Sequence, residues 1–137
     1  MTDAPPSGDD ARANSRYAID VTTRTQYLPD QSDPAADRWA FAYTIRITNV
    51  GSVTAQLVSR HWIITDAHQK VQEVRGAGVV GAQPTLAPGE HFEYTSGTAI
   101  ATPVGTMRGT YQMVAADGTR FHAAIPEFTL AAPRTLH

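Results

Sequence analysis

Hydrophobic and polar residues alternate with a period of two along much of the chain. That spacing puts every second side chain on one face of a β-strand. The longest run is Trp39 to Asn49, where Trp39, Phe41, Tyr43, Ile45 and Ile47 fall on one face. Ala40, Ala42, Thr44, Arg46 and Thr48 fall on the other. A helix would spread Trp39, Phe41 and Tyr43 around its whole circumference, so the pattern selects a strand. Tyr17, Ile19 and Val21 alternate with Ala18, Asp20 and Thr22 in a first strand expected to reach about Leu28. Pro29 to Asp37 interrupts the pattern. Its two prolines remove amide donors and Asp30, Asp33 and Asp37 favour turns, so an exposed loop is expected there.

The alternation resumes from Ala55 to Thr65, with Val58, Trp62 and Ile64 opposing Ser59 and His61. Asp66-Ala67-His68-Gln69 reads as a hairpin connection into a strand over Lys70 to Arg75. Gly76 to Gly89 is rich in Gly and Pro and is expected to hold only short extended pieces. Phe92 to Ser96 reads as a short strand, and Met107, Tyr111 and Met113 mark another. Asp117-Gly118 is a strong hairpin signal into Phe121, Ala123 and Ile125. Pro126 then points to an edge or a bulge, before Phe128 and Leu130. About seven or eight strands, with turn signals every ~8–12 residues, predict an all-β sandwich of antiparallel strands. No window carries a helical stripe. Residues 1–15, rich in Pro, Gly, Ser and Asp, read as a disordered tail, and residues 16–137 as one β-sandwich domain.

Composition narrows the chemistry. A chain of 137 residues is long enough for one domain with its own core. With no Cys there is no disulfide, thiolate metal site or cysteine nucleophile, which fits a reducing cytoplasm. No apolar run approaches the ~20 residues of a membrane helix, and the first residues do not read as a secretory signal. The formal net charge is −2, whereas a nucleic-acid binder is usually strongly basic; no nucleic-acid partner is expected.

Few residues suggest a reactive site. Gly76, Gly78 and Gly81 match G-x-G-x-x-G, whose amides can approach a pyrophosphate at a helix N-terminus. Pro84 and Pro88 exclude the helix that a dinucleotide fold needs. What survives is a backbone nest for a nucleotide, a pyrophosphate or a divalent cation, with Arg75 supplying charge. On that reading Gly78→Ala abolishes binding and spares the fold. His61, His68 and Asp66 are the weak metal candidates, since no pair of histidines has a metal-ligand spacing. Asp30, Asp33 and Asp37 lack the spacing of a calcium loop. No G-x-S-x-G is present, and Glu90 and Glu93 are the one close glutamate pair. Trp39, Trp62 and Tyr43 could form a stacking platform, but core packing is the expected role. No catalytic residue is assigned.

Several segments, in order, resemble a known family. They are Arg38 to Ile45, Ser59 to Asp66, Val74 to Pro84, Ala87-Pro88-Gly89, Tyr94 to Gly97, Gly105 to Tyr111 and Ile125 to Phe128. Together they make the chain similar to the bacterial ApaG family from about Arg16 to His137. The resemblance implies a fibronectin type III-like, immunoglobulin-like sandwich. It also implies an association with cobalt resistance and magnesium efflux, without a settled biochemical activity. Related domains in eukaryotic F-box proteins and in a DNA polymerase delta-interacting protein look like protein-interaction modules. The glycine segment has been discussed in the family as a nucleotide site. Ala77 and Ala82 stand where members often carry acidic residues, and His68-Gln69 replaces a frequent Asn-Gly, which implies a longer or looser turn. The expectation is a non-catalytic protein-interaction domain in the cytoplasm, with an unidentified protein partner and no cofactor. The alternative is a ligand site at Gly76 to Gly81.

Overall fold

Alternation becomes architecture most directly at Trp39–Asn49. Phe41, Tyr43, Ile45 and Ile47 are buried there while Arg46 faces solvent. The computed structural model describes residues 16–133, so the proposed tail at 1–15 lies outside the described residues. Eight strands follow in order: β1 (Ile19–Tyr27), β2 (Trp39–Asn49), β3 (Ala55–Asp66), β4 (Val71–Ala77), β5 (Thr85–Leu86), β6 (His91–Ile100), β7 (Val104–Ala115) and β8 (Arg120–Ala131). Two single-turn 3-10 segments, Pro29–Gln31 and Pro34–Ala36, fill the loop before β2, each opening on a proline whose missing amide costs nothing at that position.

The strands form two antiparallel sheets, β1-β2-β6 and β4-β3-β7-β8, with β5 paired to the start of β3. Three strands packed over four is the fibronectin type III-like sandwich. β1 packs against β8 and closes one flank. β4 and β6 lie at the other flank.

The core is the interdigitated inner faces of both sheets. Trp62 of β3 stands nearly perpendicular to three neighbours. Its ring centroid lies 5.4 Å from Tyr43, 6.4 Å from Tyr111 and 5.9 Å from Phe128. These edge-to-face arrangements set the positive rim of one ring against the negative face of another. Tyr43 and Trp62 therefore serve the core, and Trp39 packs half-buried against it. Tyr94 of β6 and Tyr111 of β7 meet across the sheets, hydroxyl to hydroxyl at 2.6 Å in a buried setting.

Asn49 is the other fully buried polar anchor. Its Nδ2 donates to the carbonyls of Val53 and Leu86, and its Oδ1 accepts from the Gly51 amide. Both lobes of the side chain are thereby satisfied, as burial requires.

The structure departs from the sequence reading in three places and bears it out at Pro126. Leu57, not Val58, joins Trp62 and Ile64 in the core. A β-bulge between Leu57 and Ser59 inserts one residue and resets the alternation. The short strand at Phe92 to Ser96 runs the full length of His91–Ile100, because the long β2 supplies ladder partners through Gly97. β8 continues through Pro126, accommodated on an edge strand beside a register shift opposite Met107 and Gly109. The Asp66–Lys70 turn is not loose. It is closed by Asp66 N to Lys70 O and Gln69 N to Asp66 O, with Gln69 at φ 65° in the position glycine would favour.

Burial raises the pKa of both core tyrosines, that of Tyr94 to about 12 and that of Tyr111 further. The tyrosines are neutral in both states below pH 10. Above it they ionise in the unfolded chain first, so their contribution to stability is lost as pH climbs from about 10 through 12. The urea midpoint should fall more steeply across that window in the native sequence than in a Tyr94→Phe/Tyr111→Phe chain. Tyr111→Phe alone should cost about 2 kcal/mol at neutral pH by stranding the Tyr94 hydroxyl.

Candidate functional site

The glycine segment is a hairpin turn at the end of β4. Val79 N donates to Ala82 O and Ala82 N to Val79 O, both at 2.8 Å, closing a two-residue turn at Val80 and Gly81. Both central residues have positive φ, 41° and 83°, as a type I′ turn demands. Gly78, at φ 61°, donates its amide to Val58 O at 2.8 Å. Of the three glycine amides the nest would draw on, that of Gly78 is thus already bonded to a backbone carbonyl and Gly76 lies in the ladder with β3, while the amides of Val79 and Ala82 close the turn around Gly81. Val79 is completely buried and belongs to the core. The chain then passes through Pro84 into β5, so no helix N-terminus follows.

The cation against this segment is Arg60, not Arg75. Arg60 Nη1 donates to Ala77 O at 3.1 Å and Gly78 O at 2.9 Å. The turn therefore presents carbonyls to a guanidinium where a nest would present amides to an anion. Gly76 is what lets the guanidinium lie there: a Cβ at position 76 would stand 2.8 Å from Nη1. Arg75 points to the outer face of the sheet and pairs with Glu73 at 3.3 Å.

The three metal candidates are not brought together. His61 lies on the outer face, hydrogen-bonded through Nε2 to Glu73 Oε1 at 2.8 Å. Those bonds from His61 and Arg75 hold the Glu73 carboxyl below its usual pKa. Asp66 is buried, and its Oδ1 accepts the amides of His68 and Lys70, capping the hairpin. His68 sits exposed in that turn. Among the described residues, no group of three or more His, Asp or Glu is gathered as a metal would need.

A cleft of about 310 Å³ lies between β4 and β6. Tyr43, Trp62 and Ile64 lie at its base, with Val74 on one side, Tyr94 on the other and Arg60 among its lining residues. Sequence reasoning missed Arg60. The signal was available: a glycine inside a strand marks a close approach, and Gly76 pairs directly with Arg60 in the ladder.

The sequence expectation for Gly78→Ala is overturned. A Cβ there would lie 2.3 Å from Ala82 O and force an L-residue to φ 61°, so the substitution attacks the fold itself. We expect it to cost about 3 kcal/mol or more in urea denaturation. Gly76→Ala should cost less, about 1–2 kcal/mol, because a flexible guanidinium can swing aside. Its penalty should shrink in an Arg60→Ala background, a coupling that a double-mutant cycle measures.

Comparison with known proteins follows the same outline. The family model described as the ApaG domain matches residues 29–115. Protein ApaG of Thiobacillus denitrificans is 66% identical over 122 residues, covering 89% of this chain and 96% of that protein. Protein ApaG of Ralstonia nicotianae is 66% identical over 123 residues, covering 90% and 99%. A crystal structure of a Bordetella pertussis protein superposes with a TM-score of 0.82 at 59% identity, covering 86% of this chain and 96% of that one.

Proposed function

The chain belongs to the ApaG domain family, and we propose that it acts as a non-catalytic protein-binding sandwich whose contact surface is the flank left open by β4 and β6. The observation that carries this reading is the state of the two edge strands. Gly78 N bonds Val58 O and Asp66 N bonds Lys70 O. The antiparallel alternation between those bonds gives β3 the backbone groups of Gln72, Val74 and Gly76. The amides and carbonyls of Val71, Glu73 and Arg75 and the amide of Ala77 then face outward from the sheet, the Ala77 carbonyl being taken by Arg60. Asn49 N bonds Glu90 O, so by the same count Glu93, Thr95, Gly97 and Ala99 of β6 turn their groups away from β2. Such edges are templates for another strand unless they are guarded.

β4 carries no proline, lysine or bulge, while β8, the opposite edge of its sheet, has Pro126 and a register shift. Val71 and Val80, at the two ends of the β4 region, are exposed by 56% and 58%. An association with cobalt resistance and magnesium efflux is then exerted through a protein partner in the cytoplasm, without a metal held by this chain.

Affinity capture with the tagged chain tests this reading. Glu73→Pro and Thr95→Pro each delete an edge-facing amide without removing a ladder bond, so both should fold. A partner recovered reproducibly by the native chain should be lost with at least one of them. Recovery of no partner after cross-linking, or retention of the partner by both variants, overturns the proposal.

A further inference from the structure

The two flanks of the sandwich are unequal. At one, β1 covers β8. At the other, three strands lie over four, and the inner side of β4 is only partly covered: Val74 is half-buried and Gln72 exposed. The cleft that results continues past Ile64 and Gln72 into a second hollow of about 210 Å³, lined by Ile100 and Lys70. The trough therefore runs along β6, whose outward backbone groups border it.

The chemistry of the trough has a sign. Arg60 uses Nη1 to hold two carbonyls, and among the described residues no carboxylate lies in ion-pair range of its guanidinium. The carboxylates nearest in the fold are engaged elsewhere. Asp66 caps the hairpin, and Glu73 serves His61 and Arg75 on the far face of the sheet. At the other end Lys70 and Asp66 both line the hollow, so the positive sign of the trough comes from Arg60. The side chains at its base are already buried, Trp62 to 98%, with half-buried Val74 beside them, and among the described residues the Nε1 of Trp62 has no hydrogen-bond partner. An unpaired guanidinium beside buried aromatic rings is a site for an anionic group attached to an apolar body.

We infer that the trough receives an extended acidic segment of a partner protein, which adds as a fourth strand to the free edge of β6. Backbone bonds to Thr95, Gly97 and Ala99 give the segment its direction. Gly97, with no side chain, leaves the middle of that edge unobstructed. Every second side chain of the added strand faces inward. One of these is an Asp or Glu meeting Arg60, and the next inward ones are apolar, covering half-buried Val74 and the inner side of β4. The partner motif is thus an acidic residue followed, at alternating positions, by apolar ones. This inference rests on the protein-binding reading above and specifies where and what that partner segment is.

A random linear decapeptide library, selected against the immobilised full chain, tests it. Retained sequences should be enriched in Asp or Glu two residues from an apolar position. Amide shifts on adding a retained peptide should centre on Thr95, Gly97 and Ala99. Arg60→Gln keeps a donor for the turn carbonyls and should weaken acidic peptides about tenfold or more, while leaving their Gln-substituted versions nearly unchanged. Thr95→Pro should abolish binding, with the fold of each variant checked by its amide spectrum. Selection of basic or uncharged sequences, shifts on the outer faces, or no peptide retained would each overturn the inference. A partner still captured in the lysate experiment would in those cases leave the protein-binding reading standing.

Discussion

Two tyrosine hydroxyls 2.6 Å apart tie the sheets together in a way apolar packing alone cannot. Hydrophobic contact is nearly indifferent to small slides of one sheet over another, because it depends on area and not on direction. A hydrogen bond between buried hydroxyls tolerates no such slide without leaving both unpaired. The Tyr94–Tyr111 bond therefore fixes where β6 sits over β7. Trp62 follows, because its ring is set against Tyr111 on one side and Tyr43 on the other. Once β3 is positioned, its ladder carries β4, and Arg60 reaches the turn at Ala77 and Gly78.

The glycine segment shows how a sequence pattern can carry the opposite polarity from the one it suggests. Read as a motif, Gly76, Gly78 and Gly81 bring amides toward an anion. Folded, they release space for a guanidinium, permit a left-handed residue and complete a tight turn, and the groups that converge are carbonyls. Val79 meanwhile fills the core from within the loop, which anchors the turn as firmly as a strand residue would. Val80, a β-branched residue at φ 41°, stays in an unfavourable conformation because Val79 and Ala82, which flank the turn, are hydrogen-bonded to each other.

The fold was largely legible because period-two alternation survives wherever a strand has one wet face. β2 shows this at nearly every position, with Ala40 the small exception that is buried on the minority side. Legibility failed where a single residue broke the count. The bulge at Val58 shifts the phase of β3, and nothing in Leu57-Val58-Ser59 marks which residue is extra. The sequence reading ends β6 at Ser96, whereas pairing with β2 holds the chain extended to Ile100. The surroundings of Arg60 were harder still. They come from a cross-strand pair 16 positions apart, from a turn carbonyl and from an edge strand, and no local pattern announces three such elements meeting.

Along β4 two roles are divided by parity. Gln72, Val74 and Gly76 commit their backbone to β3 and their inner side to the sandwich, so each is tied to folding. Val71, Glu73 and Arg75 turn both side chain and backbone toward the outside. Over evolutionary time the second set is free to drift: a substitution there alters what the edge can pair with and leaves the core as it was. One strand can thus change its preferred neighbour while the lineage keeps the same scaffold.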